Sequence, residues 1–221
     1  MKLCHFPEKL FESMYNHCLC SDFSEKGTKA NLWAPSQNGE AYAGYGALFI
    51  NKDPSAKRKL IAIQYKVPTY EYKTSNKKKH IFKGDFKFEL HKNSKGKYIQ
   101  NELLLKMQSS GVVDEVYYCA PLFTSCKQLN NYTRSNTLKN HCKLIKPVVL
   151  TTKENHFCTY NEKGTPYFHS KNAMESQEIK NDDVFVDKLE NKPLDTDRAL
   201  RFKKFMELYG KELTDVFFYS F

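Results

Sequence analysis

Residues 37–66, QNGEAYAGYGALFINKDPSAKRKLIAIQYK, govern how the rest of the chain is read. The stretch holds Glu40, a Gly44-Tyr45-Gly46 turn, an apolar run from Ala47 to Ile50, a basic connector, and a second apolar run from Lys59 to Val67. Asp53-Pro54-Ser55 is a turn signal between the runs, which predicts two neighbouring antiparallel strands. Pro68 ends the second. The triplet Gln64-Tyr65-Lys66 closes that strand, with a carboxylate upstream. Such a pairing suits metal-dependent phosphodiester chemistry, in which carboxylates hold a hard divalent cation through oxygen and an ammonium steadies charge growing on the attacked phosphate.

Upstream, residues 7–19 read as a packing helix, with Pro7 in the first turn, Glu8 at the positive end of the dipole, and Leu10, Phe11, Met14, Tyr15 and Cys18 at three- and four-residue spacing. Residues 21–39 turn polar around the single tryptophan, Trp33, and read as a loop. Downstream, residues 70–84, YEYKTSNKKKHIFKG, mix Lys73, Lys77, Lys78 and Lys79 with aromatics. A basic loop of this kind suits a phosphate backbone and its exposed bases, although a solvated charge run has the same composition. FKFEL at 86–90 alternates like a third strand, residues 98–108 place Ile99, Leu103, Leu104 and Met107 on one helical face, and Gly111 closes that helix. EVYYCAP at 115–121 is a further strand. The order is helix, three strands, helix, strand, an α/β unit. Beyond it, residues 137–145 suit a short helix, 156–160 and 166–169 strands, 170–195 a loop or edge excursion, and 195–210 a helix stopped by Gly210.

A chain of 221 residues suits one domain. Lysine and arginine number 35 against 25 acids, a net charge of +10, which attracts polyanions and weakens in salt. Seven cysteines are scattered at 4, 18, 20, 119, 126, 142 and 158 with no CxxC spacing, a pattern of reduced thiols in a cytoplasm rather than a disulfide framework. His5, His17, Cys4, Cys18 and Cys20 lack the paired spacing of zinc ligands, and His141, Cys142, His156, Cys158 and His169 read as structural before they read as a site. No stretch approaches the ~18 apolar residues of a membrane span, so a cytoplasmic protein with no membrane partner is expected.

The order of these features resembles the restriction-endonuclease-like, PD-(D/E)XK nuclease superfamily, and more narrowly a group of bacterial proteins in which Pro-x-x-Gln-x-x-Glu precedes Gly-Tyr-Asp, a strand ending Gln-x-Lys, a Gln-led helix, and a strand running into Pro-aliphatic-Phe. In this chain the matching residues are Pro35, Gln37 and Glu40 with altered spacing, Gly44-Tyr45, Gln64-Tyr65-Lys66, Gln100, and Tyr117 through Phe123. The resemblance spans about residues 35–125. It implies an α-β-β-β-α-β core with a mixed central sheet flanked by helices, over about residues 7–125 of a single domain 1–221, with residues 126–221 as an elaboration. It implies metal ligation by Glu40, a weaker ligand role for Gln64, phosphate or water contact for Lys66, and a nucleic-acid contact for Gln100. The cofactor would be Mg²⁺ or Mn²⁺, the substrate DNA rather than RNA, and the setting bacterial restriction, repair or phage defence, alone or with a protein partner. Where the resemblance expects a metal-anchoring aspartate, this chain has Gly46; Asp53 on the connector is the substitute acid, and Glu71 a second. The alternatives are a nuclease fold that binds nucleic acid or a partner without cutting, and a structural subunit of an assembly.

Overall fold

The computed structural model describes residues 2–25, 30–33, 46–51, 60–70, 86–91, 99–150, 155–169, 174–175, 178–179 and 200. Helix α1 (Glu8–Glu25) leads into strands β1 (Ala30–Trp33), β2 (Ala47–Asn51) and β3 (Leu60–Tyr65). Short β4 (Thr69–Tyr70) and β5 (Phe86–Glu89) follow, then helix α2 (Ile99–Ser109) and strand β6 (Glu115–Pro121). Helix α3 (Cys126–Arg134), a 3-10 turn (Leu138–His141) and strands β7 (Cys142–Ile145), β8 (Phe157–Tyr160), β9 (Tyr167–His169), β10 (Met174–Glu175) and β11 (Glu178–Ile179) complete the described elements.

The strands form two sheets. The larger is mixed, in the order β1-β2-β3-β6-β7-β11, with β3 and β6 parallel (Ile61 opposite Glu115, Tyr65 opposite Cys119) and the other pairs antiparallel. The smaller, β10-β9-β8-β5-β4, is antiparallel throughout. Period-two alternation sorts side chains between two cores. Ile61, Ile63 and Tyr65 of β3, Tyr117 and Cys119 of β6 and Leu144 of β7 face Phe11, Tyr15 and Leu19 of α1 and Leu129 of α3. Ala62, Val116, Tyr118, Ala120 and Ile145 face the other way, against Leu103, Leu104 and Met107 of α2 and Phe88, Cys158 and Phe168 of the smaller sheet. Burial on both faces explains why β6 reads as a near-continuous apolar run.

Several expectations are corrected. FKFEL is a strand, but of the smaller sheet; the third strand of the β1-β2-β3 meander is Ala30–Trp33, inside the stretch read as a loop. Helix α1 runs past residue 19 because Asp22 is tied to Lys139 by an ion pair and accepts a 2.8 Å hydrogen bond from Asn136 Nδ2. Residues 142–145 are a strand, not helix: Cys142 and Leu144 enter one core while Ile145 enters the other. The expected stop at Gly111 is present, with φ of 69° and a Gly111 N–H to Gln108 carbonyl bond of 3.0 Å. β7 pairs with β6, and β8 with β5, so chain beyond residue 126 completes both sheets. The N-terminal segment straps the two sheets together: Lys2 exchanges backbone hydrogen bonds of 2.8 and 2.9 Å with Tyr70 of β4, and the His5 N–H reaches the Thr124 carbonyl beyond β6 at 2.8 Å. Among the described residues, no helix is long and apolar enough to cross a membrane. The expected helix at 195–210 lies outside the described residues, Leu200 excepted.

Candidate functional site

The triplet Gln64-Tyr65-Lys66 sits where β3 leaves the sheet, and the Lys66 N–H continues the parallel ladder by bonding the Cys119 carbonyl at 2.9 Å. An extended backbone sends alternate side chains to opposite faces. Tyr65 goes toward α1, where its ring meets Phe11 and Tyr15 edge-on at 5.7 Å each and its hydroxyl donates to Asn16 Oδ1. Gln64 and Lys66 go the other way. Gln64 is fully buried, and its Nε2 donates to the Tyr65 carbonyl at 3.3 Å.

Lys66 keeps only 6 % of its surface exposed, and its Nζ donates to Gln100 Oε1 at 3.4 Å. Gln100, in the first turn of α2, is half-exposed. Two residues of the expected set, Lys66 and Gln100, thus meet from two elements, with Gln64 on the same face of β3. The geometry around the ammonium is unusual. Buried charges are ordinarily paired, yet among the described residues Lys66 has no carboxylate in ion-pair reach and no acceptor besides this neutral amide at long range. Among the described residues the other buried lysine, Lys143, donates to the Glu162 carbonyl at 2.9 Å.

Gly46, where the resemblance expects an acid, does not face this site. Its N–H bonds the Ile63 carbonyl at 2.8 Å although the register pairs Ile63 with Ala47, so two residues share one partner, as in a bulge. A Cβ at position 46 would lie 3.1 Å from Tyr65 Cδ2 and 3.5 Å from the Glu12 carboxylate. Position 46 therefore points to the α1 side, and the sheet separates it from Gln64 and Lys66. Glu12 is an acid that the sequence reading missed: it is 4 % exposed and accepts from Lys9 Nζ at 2.8 Å. The signal was available, because the helical face carrying Phe11, Tyr15 and Leu19 also brings Glu12 and Asn16 toward the sheet, whereas Leu10, expected in the core, is 37 % exposed.

Among the described residues, the donor set beside Lys66 does not fit Mg²⁺ or Mn²⁺. A hard cation requires several anionic oxygens, and the site offers amides and a competing ammonium, with Glu12 across the sheet and bound to Lys9. Among the described residues, no group of three histidines, cysteines or acids is arranged to hold a metal. Glu40, Asp53, Lys73, Lys77, Lys78 and Lys79 lie outside the described residues.

His141, His156, His169 and Cys142 are held in structural contacts. His141 stacks on Tyr132 at 3.6 Å between centroids; His156 Nδ1 lies 3.1 Å from the His169 carbonyl, and His169 Nε2 lies 2.6 Å from Thr159 Oγ1. Cys142 Sγ donates to the Leu138 carbonyl at 3.2 Å. Burial pushes the Cys142 and Cys158 thiols well above their ordinary range, which disfavours the thiolates that a ligand or nucleophile needs. No family model matches this chain, and comparison with curated proteins and with solved structures finds no significant match, so the site's meaning rests on its own geometry.

Proposed function

We propose that the chain is a nucleic-acid-binding protein with a restriction-endonuclease-like core, in which Lys66 and Gln100 grip a backbone phosphate. The observation that carries the reading is the buried Lys66 ammonium, met only by the Gln100 amide at 3.4 Å among the described residues. A positive charge held this way gains most from an anionic ligand, and a phosphate oxygen supplies both the charge and the acceptor. The order α1, three antiparallel strands, the short β4 and β5 of the smaller sheet, α2, and a strand parallel to the third supports the core assignment. The net charge of +10 supports a polyanionic partner, with DNA preferred over RNA on the strength of the resemblance.

Binding of fluorescent duplex DNA, single-stranded DNA and RNA at two salt concentrations tests the proposal. Expected is salt-sensitive binding that Lys66→Met weakens; no affinity for any of them at low salt would leave the structural-subunit reading in place. Cleavage in a bacterial defence or repair setting requires an acid from outside the described residues, Glu40 or Asp53, to reach the Lys66 side. Plasmid incubated with Mg²⁺ or Mn²⁺ tests it, with cleavage expected to disappear in Glu40→Ala if that acid is used and intact plasmid favouring binding alone.

A further inference from the structure

We infer that the Lys66–Gln100 site selects an internal phosphodiester, a monoanion, and holds it without a divalent cation; the inference rests on the reading of Lys66 as a phosphate contact. The argument is one of charge balance in a buried place. Among the described residues the site offers one ammonium, from Lys66, and the neutral amide of Gln100 that meets it, with Gln64 on the same face of β3. A phosphodiester carries one negative charge, which a single ammonium neutralises. A terminal phosphate or free nucleotide carries about 1.5 to 2 at neutral pH, and the surplus would be buried without a partner, at considerable cost.

The usual remedy for surplus phosphate charge is a metal ion, and among the described residues the local donor set does not fit one. The N-terminus of α2 supplies no spare positive charge either, because Glu102 already occupies its first turn. Gln100 is suited to a ligand that comes and goes. Its Oε1 accepts from Lys66, and its two Nε2 hydrogens can donate to a phosphate oxygen. Gln100 is half-exposed, so a ligand can reach it from solvent.

The test is competition against a labelled oligonucleotide in EDTA at fixed ionic strength. Expected is that circular DNA lacking ends competes per binding site as well as a linear strand, that a nucleoside 5′-monophosphate does not compete, and that replacing EDTA by Mg²⁺ does not tighten binding. Lys66→Met should weaken binding about tenfold or more, and Lys66→Gln, which keeps a polar side chain in the same place, should do the same if the methionine variant fails to fold. A preference for 5′-phosphorylated ends, effective competition by the monophosphate, or tightening by Mg²⁺, with the Lys66 variants still impaired, would overturn the monoanion and metal-free assignment and leave the phosphate contact standing. Folded Lys66 variants that bind like the parent protein would overturn both.

Discussion

A charged side chain that retains 6 % of its exposed surface and meets one neutral amide costs stability in the unliganded protein. Lys66→Met is therefore expected to stabilise the free protein, by about 1 kcal/mol or more, which corresponds to a rise of roughly 2–4 °C in Tm. Thermal denaturation in phosphate-free buffer checks it, and a large fall in Tm would mean that the ammonium supports the fold. Gly46 behaves oppositely. Its missing Cβ leaves room for the Tyr65 ring at 3.1 Å, so Gly46→Ala should destabilise by about 1–2 kcal/mol through overpacking. Gly46→Asp should cost more, since its carboxylate would meet that of Glu12, and adding Glu12→Gln should recover part of the loss in denaturant titrations.

Thiols set the alkaline limit. Burial pushes Cys4 from its ordinary 9.0 up to about 11, with nearby Cys126 adding to the rise, and pushes Cys142 and Cys158 well up. In each case the folded pKa lies above the unfolded one. The associated stability is complete below about pH 9 and is lost as pH climbs through the folded values. Urea midpoints are expected to fall above about pH 9, and Cys158→Ala should flatten that fall; midpoints unchanged up to pH 11 would contradict it.

At the scale of elements, legibility followed the strength of local pattern. The β2–β3 pair, α2 with its Gly111 stop and β6 were legible because their apolar periodicity and turn residues agree. β1 was not: ANLW is a short run among polar neighbours, and its strand character comes from pairing with β2. α3 was missed because KQLNNYTR is mostly polar, with Leu129 and Tyr132 as its large apolar residues; it is held by packing and by Ser125, whose hydroxyl accepts from the Gln128 N–H at 3.3 Å. Removing that cap with Ser125→Ala should cost about 1 kcal/mol, seen as a drop of roughly 2–4 °C in Tm. The candidate site was legible in part for the same reason. Lys66 and Gln100 belong to well-patterned elements and do meet, whereas the direction of position 46 depends on a local irregularity that strand alternation alone misassigns.

For the whole molecule, the mixed α/β character followed from interleaved helical and strand periods, while the division into two sheets did not, because β5 finds its partner in β8, far along the chain. The parallel union of β3 with β6 has a kinetic consequence. While the chain is being synthesised, the β1-β2-β3 meander emerges with one flank of β3 bare, and it stays bare until β4, β5 and α2 have been made and β6 arrives to cover it. That flank carries LIAIQY, a segment suited to intermolecular pairing. Refolding from denaturant should accordingly give yields that fall as protein concentration rises, and a charged substitution at Ala62 should not rescue them, because the same residue is needed inside the finished core.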